Sequence, residues 1–213
     1  VICMYNAGDN DVFSLAAEIK NERKNLPFVL LTHFSKEVYR RISNMDTSAI
    51  DYMFSWHGNA DLIVAIIKLF EDLKNADNDI LEVGVQSILL VEDSVRYYST
   101  YLPELYRMVL RQSAEFLKET LNEQQRKYMK RSRPKILLAT NLDDAMSMYE
   151  KYKTNLLGVI SDVGFCQHRG EKPENEKLDA GLELVRHIKS DDPKMPILLQ
   201  SSQDCICAVA EEL

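Results

Sequence analysis

The chain is poor in cysteine, glycine and proline, with four, seven and six of them among 213 residues. Each scarcity excludes something. Cys3, Cys166, Cys205 and Cys207 are too few for a disulfide scaffold, and no CxxC pair offers zinc-ribbon spacing. Cys166 and His168 stand two apart, as do Cys205 and Cys207. The expectation is reduced thiols in a cytoplasmic protein. Little Gly and Pro excludes collagen-like and low-complexity chains. No apolar run approaches the length of a membrane span, so no membrane partner is expected. Positive charge is also short. Lys and Arg number 26 against 33 Asp and Glu, a net charge of -7, which argues against a nucleic-acid partner. The opening "VICMYNAGDND" has neither an initiator Met nor a basic leader and reads as the end of a strand. A piece of a longer protein, with no signal peptide, is the expectation.

What is present is a core-forming composition, 46% hydrophobic and 28% charged. Phe13, Leu15, Ala16 and Ile19 repeat at helical spacing, and "LPFVLLTH" follows with a continuous apolar run, Phe28 to Leu31. "SKEVYRRISNM" predicts a short helix, "AIDYMFSW" a strand, and "NADLIVAIIKLFEDLKN" an amphipathic helix capped by Asn59. Residues 77–86 are expected to link this first series to a second. That series predicts a strand at Ser87 to Val91, a helical region over 95–130 and a strand in "PKILLAT". It continues with a helix capped by Asn141, a strand in "LLGVISDVGF", a helix in "AGLELVRHIKS" and a strand in "MPILLQSS". Strands alternating with helices, several apolar throughout, give α/β architecture with a parallel sheet covered on both faces. "FSLAAEIKNERKNLPFVLLTHFS" and "LELVRHIKSDDPKMPILLQSSQD" share a helix ending in Ile-Lys, a Pro-led apolar strand and a hydroxyl residue, an internal repeat.

Chemistry gathers where the strands of the second series end. "ILLVEDS" runs from four apolar residues straight into Glu92 and Asp93, "GVISD" ends on Asp162, and "ILLQS" on Ser201. In doubly wound sheets ligands bind beyond the carboxyl ends of the strands. Polar residues are also expected wherever a buried strand leaves the core, and a single Asp there would mean little. An adjacent acidic pair, a second Asp and a hydroxyl in one α/β order favour a site. Clustered carboxylates repel unless a cation neutralises them, and Mg²⁺ suits oxygen donors. A carboxylate in such a site can accept a phosphoryl group.

With "ILLVEDS", "GVISD" and "PILLQSS" in this order, residues 87–213 resemble the receiver domains of two-component response regulators. The resemblance implies a flavodoxin-like, doubly wound parallel sheet of five strands in the order 2-1-3-4-5, its last strand and helix lying beyond Leu213. It implies that Asp162 is the phosphoacceptor. Glu92, Asp93, Asp162 and the Gly164 carbonyl would then hold Mg²⁺, and Ser201 would be the switch hydroxyl. It further implies a histidine kinase or phosphotransfer protein as partner. The family's Lys at the end of the fifth strand would fall beyond residue 213. The loop "VGFCQHRGEKPENEKLDA" is longer than usual in the family and lacks its Met-Pro.

Residues 1–76 resemble the back half of the same fold, as a truncated, degenerate pseudo-receiver. Met4 stands at the acceptor position, Thr32 at the hydroxyl and Ser55 at the Lys, while Asp9 and Asp11 are expected in a solvated loop and at a helix start. Paired regions of this kind are also similar to the front end of phosphoenolpyruvate synthase-like chains. Within "SVRYYSTYLPELYRMVLRQSAEFLKETLNEQQRKYMKRSR", Pro103 is expected to kink or restart the helix. Leu102, Leu105, Tyr106, Val109 and Leu110 would cover the sheet, and Phe116, Leu117 and Leu121 extend a stripe left open to burial by a homodimer, by the neighbouring domain or by the helix's own domain. "RKYMKRSRPK" is expected to be a solvated helix end. His33, His57, His168 and His187 show no triad spacing. Two functions outside phosphoryl acceptance stay open: a pseudo-receiver scaffold, and a Mg²⁺-dependent phosphohydrolase needing a further acid or base near Asp162.

Overall fold

The computed structural model describes residues 1–5, 11–33, 38, 42, 45–119, 133–171 and 173–201. The expected helix around residues 35–45, the end of the long helical region with Leu121, Asp9, Cys205 and Cys207 lie largely or wholly outside them, as do the side chains of Phe116 and Leu117. The chain divides into two compact units. One comprises Val1–Ala65 and Ser94–Pro103, the other Ile66–Asp93 and the chain from Glu104 onward. Among the described residues no helix is long and apolar enough to cross a membrane.

The first unit carries a parallel three-stranded sheet in the order β1-β2-β3: β1 (Ile2–Met4), β2 (Val29–Thr32) and β3 (Tyr52–Ser55). Every residue of β2 is buried, as its uninterrupted apolar run requires of a central parallel strand. Helix α1 (Val12–Glu22) starts where the Asp11 carboxylate accepts the Phe13 N–H at 3.1 Å. Its Val12 and Ala16 pack with Phe28, Leu30 and Ile42. Asp51 accepts from the Phe28 N–H and the Lys20 ammonium, both at 2.6 Å, tying the start of β2 to α1. Tyr98 and Ser99 also belong to this unit. The Tyr98 ring meets Phe54 edge-on at 5.3 Å, and the Ser99 hydroxyl accepts the Ser55 N–H at 2.9 Å.

Helix α2 (Asp61–Ala76) opens where the Asn59 side chain accepts the Asp61 N–H, and from Ile66 onward it belongs to the second unit. The residues expected to be a linker begin as a π-helical turn, Asp77–Glu82. Ile80 in it is fully buried, and the Asn155 amide donates to the Ile80 carbonyl.

The second unit holds a parallel four-stranded sheet in the order β5-β4-β6-β7: β4 (Ser87–Val91), β5 (Lys135–Ala139), β6 (Leu156–Asp162) and β7 (Ile197–Gln200). Leu89, Val91, Leu137, Ala139 and Val159 join one core with Ala145 and Tyr149 of helix α4 (Leu142–Tyr152) and Leu184 and Ile188 of helix α5 (Ala180–Asp191). The alternate residues Leu90, Ile136 and Leu138 are as deeply buried. Side chains alternate across a strand, so β4 and β5 are covered on both faces. Asn141 caps α4 by accepting the Asp144 N–H at 2.8 Å. Between β4 and β5 runs helix α3 (Val95–Glu119), which continues through Pro103 rather than restarting there.

Of the basic run at 126–135 only 133–135 lie among the described residues, and there the expectation of a solvated helix end is corrected. Arg133 and Lys135 are not solvated. Both are at least 96% buried and pair with Asp72 of α2, which is wholly buried. Arg133 reaches Asp72 at 2.6 and 2.9 Å, Tyr106 donates to it at 2.9 Å and the Ile136 N–H at 3.1 Å. Lys135 also meets Asp79 at 2.6 Å. Charges this deep persist only when paired and hydrogen-bonded, and Asp72 gathers several donors at once.

Candidate functional site

The chemistry of the second unit collects at the carboxyl edge of its sheet because two neighbouring strands stop together. β4 and β6 are in register through Val91 and Ser161, so Glu92–Asp93 and Asp162 leave the sheet side by side. One carboxylate oxygen from each of Glu92, Asp93 and Asp162 lies within 4.8 Å of the others. Glu92 is only 2% exposed, and its N–H continues the ladder to the Ala139 carbonyl at 3.0 Å. Asp93 and Asp162 are half-buried and face outward. On the far side of β6, Asp162 is in register with Gln200. Ser201, the next residue, therefore leaves the sheet on the strand beside Asp162 and is exposed.

Helix α5 closes on this edge through a glycine. The Gly181 N–H donates to the Val163 carbonyl at 2.8 Å, and a Cβ at Gly181 would fall 2.8 Å from the Val163 Cα and against the Asp162 carbonyl. No larger residue allows this approach. The loop between β6 and α5 is built rather than loose. Phe165 and Lys177 form an antiparallel bridge, with N–H···O distances of 3.2 and 3.1 Å. The Cys166 and Gln167 carbonyls accept the Leu142 and Asp143 N–H groups, occupying the free donors that begin α4. Glu171 accepts the Gln167 and His168 N–H groups, both at 3.1 Å, and His168 binds Asp143 at 2.5 Å.

That folded loop brings in an acid the sequence did not single out. Glu176 precedes the bridge residue Lys177, and its carboxylate lies against Gly164. A Cβ at Gly164 would strike Glu176 Oε1 and sit 3.4 Å from its Cδ. The only sequence signal was negative charge in the long loop, which also holds Glu171 and Glu174. Spacing cannot tell which of the three turns back toward Asp162; the bridge decides it.

The electrostatics are those of crowded anions. Burial, then Glu176, then Asp162 push the Asp93 carboxyl up from 3.8 to about 6, against the Cys166 N–H that favours its charged form. Burial also raises Asp162, with Glu176 adding to it and the Val163 N–H opposing. Burial and then Asp93 push the Cys166 thiol up, so it stays a thiol at neutral pH. Such a cluster is chemically prepared to hold a cation or a proton.

No known family, curated protein or solved structure matches this chain.

The first unit ends differently at the same edge. β1 to β3 are in register through Met4 with Leu31 and Thr32 with Ser55, so Met4, Thr32 and Ser55 come to the carboxyl end of three successive strands. Thr32 donates to the His33 carbonyl at 3.0 Å, and the Ser55 hydroxyl meets His57 Nε2 at 2.9 Å. Beside them is a cavity of about 180 Å³, lined by Met4, Tyr5, Leu31, Thr32, His33 and Val38. None of these residues is an acid.

Proposed function

We propose that the second unit is a phosphoacceptor signalling module that receives a phosphoryl group on Asp162. The observation carrying this reading is the convergence of Glu92, Asp93 and Asp162 within 4.8 Å at the carboxyl edge of neighbouring parallel strands. Phosphoryl transfer needs a nucleophilic oxygen and positive charge to offset the transferring group. Asp162 offers the oxygen: it attacks phosphorus, the donor's bond to phosphorus breaks, and the donor leaves with that electron pair.

The donor set fits Mg²⁺. All three groups are hard carboxylates, burial together with the nearby Glu176 and Asp162 raises Asp93 to about 6, and one or two carboxylates are what Mg²⁺ takes from protein. Asp93 and Asp162 would hold it directly, with Glu92 behind them and the Gly164 carbonyl beside them. When bound it supplies charge neutralisation for the incoming phosphoryl oxygens. Ser201 stands on the adjacent strand, where a hydroxyl can hydrogen-bond a phosphoryl group on Asp162. The full sheet in this reading has a fifth strand beyond β7, completing the order 2-1-3-4-5. A phosphohistidine on a kinase or phosphotransfer protein is the donor.

The test is incubation with Mg²⁺ and acetyl phosphate, read by intact mass. One base-labile phosphoryl group is expected, and it disappears in Asp162→Asn. No adduct on the wild-type protein would sink the reading and leave a binding scaffold in its place.

A further inference from the structure

Glu176 is not part of the three-carboxylate cluster, yet the fold delivers it there. Its backbone is anchored through the next residue, Lys177, which bridges to the fully buried Phe165 and whose carbonyl accepts the Ala180 N–H at 3.2 Å. Its side chain lies in the space a Cβ would fill at Gly164, two residues after Asp162. Glu176 is itself exposed. Glu171 in the same loop is already engaged by the Gln167 and His168 N–H groups and does not share this role.

Resting on the phosphoacceptor reading above, we propose that Glu176 regulates the site with two opposed effects. It strengthens the hold on a divalent cation and opposes accumulation of the phosphorylated form. The reason is one of sign. A fourth carboxylate attracts Mg²⁺ to the edge where Asp93 and Asp162 already lie. A phosphoryl group carries nearly two negative charges at neutral pH, so the same carboxylate repels it. Gly164 belongs to the device, because only the absence of a Cβ lets Glu176 lie where it does.

The full chain is compared with Glu176→Gln, Gly164→Ala and, as a control, Glu174→Gln in the same loop. Two quantities are read: Mg²⁺ affinity by calorimetry without phosphodonor, and the phosphorylated fraction at steady state with acetyl phosphate. Glu176→Gln is expected to weaken Mg²⁺ about threefold and to raise the phosphorylated fraction by a similar factor. Gly164→Ala, which displaces the carboxylate, is expected to move both in the same directions, and Glu174→Gln neither. A merely structural role would lower both together, and that result overturns the proposal, as does no change in either. A wild-type chain that takes no phosphoryl group overturns the function proposed above instead. The Mg²⁺ titration then decides Glu176 alone, and unchanged affinity in Glu176→Gln overturns its place at the site.

Discussion

The two parallel sheets of this chain have the same kind of edge and opposite chemistry on it. In the first unit Met4, Thr32 and Ser55 end the strands, neutral and beside a cavity with no acid among its described lining residues. In the second, three carboxylates converge and a fourth is folded toward them. The second sheet is also charged at its other end, where Asp72, Arg133, Lys135 and Asp79 meet around the start of β5. There the charges are paired and the buried groups satisfied. At the carboxyl edge they are alike and repel. Charge at the amino end therefore serves the fold, while charge at the carboxyl end opposes it and is available for a ligand.

Four measurements bear on the difference between these edges. The largest concerns phosphoryl labelling, which Asp162→Asn abolishes. Adding Met4→Asp to that variant restores nothing by intact mass, because one acid without its neighbours is no site. A Met4→Asp adduct would erase the distinction between the sheets.

Next comes the paired end. Asp72→Ala strands Arg133 without its buried counter-charge and leaves Lys135 with Asp79, at an expected cost of about 3–5 kcal/mol in urea unfolding. A loss below about 1 kcal/mol would show that water reaches these groups.

The repelling end has the opposite sign. The folded value of about 6 for Asp93 lies above its ordinary 3.8, so the folded state holds that proton more tightly than the unfolded chain does. The associated stability is complete below about pH 4 and is lost as pH rises through about 6, a difference of about 3 kcal/mol. Asp93→Asn should therefore stabilise the Mg²⁺-free protein by about 1–3 kcal/mol at pH 8 and not at pH 4. Mg²⁺ should remove that advantage. Equal stability of both proteins across this range would refute the crowding.

The smallest effect belongs to the neutral edge. Thr32→Val removes one bond to the His33 carbonyl and should cost about 1 kcal/mol or less, with no change in labelling. A labelling defect would tie the first unit to the chemistry of the second.

Much of the fold was legible because its signals are local. The apolar runs of β2, β4 and β5, and the caps Asp11, Asn59 and Asn141, are short-range features that tertiary contacts reinforced. The acid cluster was legible for a related reason: parallel strands put all their carboxyl ends on one edge, so residue order alone gathers Glu92, Asp93 and Asp162. Two things were hidden. Arg133 and Lys135 sit in a strongly basic stretch, which reads as solvent-facing until Asp72, some 60 positions earlier, comes to meet them. The residues after α2 read as a link because Asp77, Asn78 and Asp79 are polar. Yet Tyr152 donates to Asp77 at 2.5 Å, Lys135 pairs with Asp79, and Ile80 reaches the core.

By itself the sequence determined an α/β chain, the strands that lie deepest, and which strand ends are acidic. Those follow from apolar patterning and from the one-sided polarity of a parallel sheet. Only the tertiary structure decided which charges are partners and which are rivals. Asp72 and Asp93 are the same residue type, yet one is surrounded by donors and the other by carboxylates. Coulombic energy depends on distance through space, and distance along the chain does not reveal it. The same holds for Glu176, one of three glutamates in its loop, singled out because a two-residue bridge folds the chain back and a glycine leaves room for it.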